Sequence, residues 1–277
     1  TLGSSRLPVG RREETRPMAI VLGGARVETP GLETVSWLDD PAVPKATDGN
    51  PRRERIRAVV LHTVKGIRGK LLPGSKPSTR AEAYAKYQAN TSRDVSWDYT
   101  IDTDGTIVVS NDPIERYTWQ AGSVNPFTLG IEMVQEANGD LYADQMAVAV
   151  RVLDLLTREL SKRGHPIQRA IPWKDGKPVE GVIARLRNEP KTVAGIYGHR
   201  NQTDQRGPGD PGNYIFEALA AAGYQQFDYD AGADLAAWRG VQAGYRLPVD
   251  GIPGIATRDA LIAAGYPHGL LVRRPGD

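Results

Sequence analysis

The sequence predicts an α/β protein: a mixed central β-sheet flanked by helices, with a small helical module at the C-terminal end. Three observations carry that expectation. Short apolar runs bounded by turn residues alternate with amphipathic stretches of helical length, the pattern of strands packed against helices. Asp104-Gly105 separates two strand-like segments, a tight hairpin signal. From Asp228 onward Trp238, Val241, the turn Leu247 to Gly254, Thr257 and Ala260-Leu261 suggest two short helices around a turn.

Residues 1–50 read as an extension. Gly3-Ser4-Ser5, Arg11 to Glu14 and Pro41 to Asn50 are polar or Pro-rich, with one short strand candidate at Ala19 to Leu22 and an apolar patch at Val35 to Leu38. The main domain spans residues 51–226 and begins with a buried strand, Ala58 to Leu61. Ser78 to Asn90 has helical spacing, with Ser78 or Thr79 available as N-cap and Glu82 placed for a capping box if Thr79 caps. Ser96 to Ile101 and Thr106 to Ser110 form the hairpin arms. Leu129 to Val134 is a strand, Ala143 to Arg163 a long amphipathic helix, Val193 to Tyr197 a last strand, and Tyr214 to Ala222 a helix stopped by Gly223. The charged, Gly-containing stretch Trp173 to Glu189 reads as a surface loop. Residues 227–277 make the helical module.

Bulk properties are those of a soluble globular chain: 277 residues, 25% charged and 40% hydrophobic. A net charge of +2 gives no basis for a nucleic-acid partner, which would need a concentrated basic face. The apolar run Met18 to Leu22 is far short of the roughly 20 residues of a membrane span, and Arg26 and Glu28 follow it too soon for a signal-peptide core. A start at Thr1 implies removal of an initiator Met or of a longer leader. Zero cysteines exclude disulfides and thiolate ligands, so any metal must use His and carboxylate.

Two of the four histidines sit where a metal would need them. His62 ends an apolar strand, and His199 lies in Ile196 to Arg200, ahead of a Gly/Pro-rich loop running into Asp210-Pro211-Gly212. Two imidazoles and one carboxylate suit Zn2+ and leave a fourth position open for water, the arrangement of a hydrolytic site. Read singly, His62 is equally a satisfied core histidine and Asp210 a turn cap.

The ordered segments Val60-Leu61-His62-Thr63, Ser96 to Ile101, Asp104 to Ile107, Trp119-Gln120-Ala121-Gly122, Leu129-Gly130-Ile131-Glu132, Gly198-His199-Arg200 and Asp210-Pro211-Gly212 together resemble the zinc-dependent type-2 N-acetylmuramoyl-L-alanine amidases, relatives of the peptidoglycan recognition proteins. The resemblance covers about Ile56 to Gly223 and makes residues 51–226 a zinc amidase catalytic domain. It implies His62, His199 and Asp210 as zinc ligands and Glu132 as the acid/base that moves the water proton to the leaving amine. The alternation around Ile131 and Met133 fits a solvent-facing strand glutamate equally well.

Several departures stand out. The lysine that such enzymes place two residues before the last ligand is Pro208 here, and Arg206 is the candidate to replace it as oxyanion stabiliser. Gln120 stands where the family carries His, and Asp98 replaces a histidine usual near the hairpin. An amide and an anion are thus expected to line the substrate groove, with Trp97, Trp119 and Gln120 as substrate contacts. His165 reads as a surface histidine facing a helix end, and His268 as exposed. The segment Leu247 to Thr257 resembles a short peptidoglycan-binding module of three-helix type, which would bind wall polymer; a packing tail is the plainer alternative.

The resemblance therefore implies cleavage of the amide between the lactyl group of N-acetylmuramic acid and L-alanine of the stem peptide. A non-catalytic peptidoglycan-recognition protein and a zinc peptidase acting on a stem or cross-bridge amide are the alternatives. The expected place of action is the periplasm or cell wall. The expected routes are endolysin-like release during phage lysis or delivery by a secretion or injection apparatus, with residues 1–50 as the docking segment.

Overall fold

Val59, Leu61, Leu129 and Ile131 have no exposed surface, and the strands that carry them lie side by side at the centre of one sheet. The computed structural model describes residues 18–38, 50–78, 80–192 and 194–229, together with positions 242, 243, 247, 257 and 260. In chain order the strands begin with β1 (Ala19–Leu22), β2 (Ala25–Glu28), β3 (Thr34–Ser36), the two-residue β4 (Asn50–Pro51), β5 (Ala58–Thr63) and β6 (Leu71–Leu72). Helix α1 (Arg80–Asn90) leads to β7 (Tyr99–Ile101), β8 (Ile107–Val109), β9 (Arg116–Tyr117), a 3-10 segment at Gly122–Phe127, β10 (Thr128–Met133) and β11 (Leu141–Tyr142). Then follow α2 (Ala143–Lys162), β12 (Ala170–Lys174), β13 (Lys177–Pro178), α3 (Ala184–Asn188), β14 (Gly195–Gly198), α4 (Asn213–Ala221) and β15 (Gln225–Phe227).

The central sheet has six strands in the order β14-β5-β10-β7-β8-β3. β14, β5, β10 and β7 are parallel, β8 returns antiparallel from β7, and β3 joins β8 in parallel. The sheet is mixed, as the alternation of strands and helices predicts. Side chains along β5 and β10 point to opposite faces in turn. Val59, Leu61, Leu129, Ile131 and Met133 enter the larger core, which α2 covers with Val152, Leu153 and Leu156 and α4 with Phe216 and Leu219. Burying each such side chain contributes roughly 1.5–3 kcal/mol. The opposite face takes Ala58 and Val60 into a second core with Val124 and Tyr197. That second face carries the site.

Local chemistry sets the element ends. Ser78 Oγ accepts the Arg80 N–H at 3.1 Å and Asp102 Oδ2 accepts that of Ala81 at 3.0 Å, so α1 is capped partly by a residue beyond the helix. Gly105 takes a φ of 90° in the hairpin turn, a conformation that its missing Cβ permits.

Three regions differ from the sequence expectation. The stretch Trp173 to Glu189 contains part of a hairpin, β12–β13, and helix α3 instead of a plain loop. Its turn uses positive φ at Asp175 and Gly176, so the charged residues that resemble a loop are turn residues between short strands. β12 also pairs in parallel with β15, a three-residue strand too short to leave a periodicity. Finally, residues within 1–50 join the main fold: Ile20, Leu22 and Leu32 lie in the large core, and Trp37 packs with Ala81, Ala85 and Val108.

The C-terminal helical module and His268 fall almost wholly outside the described residues. There Gln242 Nε2 donates to Thr257 Oγ1 at 3.3 Å. Among the described residues no helix is long and apolar enough to cross a membrane.

Candidate metal centre

His62 is the penultimate residue of β5, and the parallel neighbour β14 ends directly before His199. Two strands that terminate side by side thus deliver two imidazoles to one spot, their ring centroids 4.7 Å apart and the planes at 74°. Asp210 arrives from the loop that follows. His62 Nδ1 lies 4.0 Å from Asp210 Oδ1, and His199 Nδ1 lies 3.5 Å from Asp210 Oδ2. All three residues are buried, and one ligand atom from each falls within 4.8 Å of the others.

The loop is tied down on both sides. The Thr63 N–H donates to Asp210 Oδ1 at 3.0 Å, and the Thr63 hydroxyl donates to the Gly209 carbonyl. Arg200, 1% exposed, reaches across the loop. Its Nη1 donates to the Pro208 carbonyl at 2.7 Å, its Nη2 to Asn213 Oδ1 at 2.8 Å, and its backbone N–H to the Asp210 carbonyl at 2.9 Å. Gly209 lets this loop lie on the chain after β5: a Cβ there would come within 2.3 Å of the Ile67 carbonyl carbon.

The donor set fits a zinc ion. Imidazole nitrogen and carboxylate oxygen are zinc's usual donors, and their separations of 3.5 Å and 4.0 Å here are of the size that two bonds of about 2.0–2.2 Å to one ion allow. Among the described residues, buried His199 Nδ1 has no neighbour within normal hydrogen-bond geometry, the Asp210 carboxylate standing 3.5 Å away, and such a loosely satisfied buried atom is costly unless something else engages it. The electrostatics agree. Burial first, then the neighbouring His199, lowers the His62 pKa to about 4, so its ring is neutral and ligand-ready at pH 7. Burial works against an ionised Asp210, yet His199, His62 and the Thr63 N–H together hold its carboxyl below the ordinary range.

Glu132 is the register partner of His62 on β10, so both side chains leave the same face of the sheet. It is 8% exposed rather than facing solvent. Burial, reinforced by the charge of Asp210 and opposed by Arg206, pushes its pKa well above the usual carboxylate range. Arg206, half-exposed, reaches the cluster with its Nε 3.8 Å from Asp210 Oδ2.

The expected substrate contacts take different positions. Trp97 is buried, its Nε1–H donating to Thr100 Oγ1 at 2.8 Å. Trp119 is half-buried and meets Tyr117 edge-on at 5.7 Å. Gln120 Oε1 lies 2.7 Å from His62 Nε2. Asp98 does not line a groove, contrary to expectation. It is fully buried beneath β10, its Oδ2 accepting the Gly130 N–H at 2.8 Å and the Thr118 hydroxyl at 3.3 Å. His165 does stand at the end of α2, its backbone N–H donating to the Leu160 carbonyl at 2.9 Å, but it is half-buried and its Nδ1 accepts the Ile56 N–H at 3.0 Å just ahead of β5.

Thr128 and Asn125 support the site without any signature in spacing or composition, whereas Arg200 has a sequence cue in its place beside His199.

The family profile for N-acetylmuramoyl-L-alanine amidases matches residues 52–213. Among solved structures, an N-acetylmuramoyl-L-alanine amidase LysC from Clostridium intestinale URNW is similar at 17% identity, over 70% of this chain and 97% of that one, with a TM-score of 0.39. A mutant endolysin from Bacillus subtilis shows 23% identity over 47% and 78% of the two chains, with a TM-score of 0.35. Staphylococcus aureus hydrolase AmiA shows 13% identity over 76% and 77%, with a TM-score of 0.36. No curated protein matches.

Proposed function

The chain belongs to the N-acetylmuramoyl-L-alanine amidase family, and from that premise we propose that it is a peptidoglycan amidase using Zn2+ held by His62, His199 and Asp210. The bond cut is the amide between the lactyl group of N-acetylmuramic acid and L-alanine of the stem peptide. The observation that supports the zinc assignment is the buried convergence of those three side chains, with one ligand atom from each within 4.8 Å of the others.

Bound there, Zn2+ would supply positive charge that acidifies water and polarises a carbonyl oxygen. The remaining work falls to the chain's own groups. Glu132, on the site face of β10, takes the proton of the attacking water and returns it to the departing amine. Its burial raises the carboxyl pKa in the metal-free protein, and a cation nearby favours the carboxylate that a base requires. Arg206 fills the place of the missing lysine: its guanidinium stands close enough to Asp210 to face negative charge developing on the carbonyl oxygen. Trp119, half-buried and next in sequence to Gln120, would offer a face to sugar or peptide.

On the same reading, action is on wall peptidoglycan. Residues 227–277 would hold the enzyme on its polymer, and residues 1–50 would engage a phage or secretion apparatus. The test is mass spectrometry of muropeptides incubated with the protein, with and without a chelator. Release of intact stem peptides beginning at L-alanine, lost with chelator and restored by zinc, supports the proposal. Cuts further along the peptide point to a peptidase, and tight wall binding without product to a recognition protein.

A further inference from the structure

Building on the zinc reading above, we infer that Gln120 is a positioning residue that fixes the His62 ring in the tautomer whose Nδ1 is free for the metal. Gln120 Oε1 lies 2.7 Å from His62 Nε2. That contact alone leaves the proton undetermined, because a reversed amide would donate to the ring instead of accepting from it.

The groups behind Gln120 decide the matter. Gln120 Nε2 lies 3.0 Å from Thr128 Oγ1, and that hydroxyl lies 3.0 Å from the Val124 carbonyl. A carbonyl only accepts, so the single hydroxyl proton of Thr128 is committed to Val124. The hydroxyl can then only accept from Gln120, which places the amide NH2 on the Thr128 side. Oxygen is left facing His62, and Nε2 must donate to it. A neutral imidazole protonated at Nε2 carries its lone pair at Nδ1. Nδ1 is the atom that faces Asp210 at 4.0 Å.

Two further features hold the amide in place. Asn125 Oδ1 accepts the backbone N–H of Gln120 at 3.2 Å and that of Ala121 at 2.7 Å, which pins the chain on which the side chain hangs. Gly130, on the same face of β10 as Thr128 and Glu132, leaves the space that the side chain occupies. A Cβ there would lie 2.4 Å from Gln120 Oε1 and 2.7 Å from its Cδ. The ring is therefore oriented before any metal binds. A carboxamide does not titrate near neutral pH, so the orientation does not depend on a proton at position 120.

The test uses the zinc-free full chain. Long-range 1H–15N NMR of the histidine rings is expected to show His62 protonated at Nε2 and bare at Nδ1. Gln120→Leu is expected to mix the tautomers and to weaken zinc binding about 10–100-fold in competition with a chromophoric chelator. Gln120→Glu keeps an acceptor and is expected to restore the tautomer and most of the affinity, which a purely structural role would not predict. Thr128→Val frees the amide without removing it and should shift both readouts in the same direction, so a Gln120→Leu protein that fails to fold does not end the test. An Nδ1-protonated ring in the wild type overturns the inference. So does unchanged tautomer and affinity in the folded variants. A wild type that binds no zinc sinks the enzymatic reading, while the ring tautomer still decides the role of Gln120.

Discussion

Glu132 and His62 are register partners on adjacent parallel strands, one the candidate proton carrier and the other a candidate ligand. Their separation is set by the sheet and not by a loop, so the acid/base geometry is as rigid as the central strands.

Replacing Glu132 with Gln should therefore abolish proton transfer without disturbing the ligands. The expected fall in kcat is about 10²- to 10⁴-fold with zinc affinity retained, read from muropeptide turnover and chelator competition. Stability should respond in the opposite direction. A carboxyl with a raised folded pKa stabilises the fold at low pH, and that contribution is lost as pH rises from the unfolded value, about 4.3, through the folded one. Metal-free Glu132→Gln should show a shallower decline in melting temperature over that window.

Asp98 makes the same argument away from the chemistry. Burial, only partly offset by the Gly130 N–H and by Arg52, raises its pKa to about 7. The protein should lose stability as pH rises from about 4 to about 7, by an amount on the order of 2–4 kcal/mol. Asp98→Asn, which retains an acceptor for Gly130, should flatten that slope in urea unfolding at several pH values. An unchanged slope would mean that Asp98 is ionised in its buried site.

Arg206 is the least enclosed member of the centre, with a side chain 53% exposed. Its removal should cost less than a dedicated oxyanion donor, for which losses are about 10²- to 10³-fold. Arg206→Ala is expected to lower kcat about tenfold, and Arg206→Lys to recover part of it, because a positive charge on this loop is what the role requires. Equal activity in all three proteins would remove Arg206 from the mechanism.

Arg200 acts on architecture. Arg200→Leu leaves the Pro208 carbonyl and Asn213 Oδ1 without their donor, each loss worth roughly 1–3 kcal/mol if the group stays buried. The urea midpoint and zinc affinity should fall together, since the same loop carries Asp210. Lysine should repair little, because a single ammonium cannot span the two acceptors as the guanidinium fork does.

The sequence makes the frame of this site legible because its ligands end recognisable elements: His62 closes an apolar run, and His199 follows one. The Asp-Gly hairpin, α2 and α4 are visible for the same reason, since periodicity and turn chemistry are local. What escapes the sequence is tertiary. Nothing near Gln120 indicates that it folds onto His62 over a glycine 10 residues away in the chain, and nothing near Asp98 indicates that Gly130 will lie above it at a separation of 32 residues. β15 and β12 likewise declare themselves only through each other.

The bond from the Thr63 N–H to Asp210 joins residues 147 positions apart. Bringing such a pair together carries the entropic cost of closing a long stretch of chain. An ion held by all three ligands draws on both ends of the domain, so its uptake during refolding is expected to time the moment at which those ends meet.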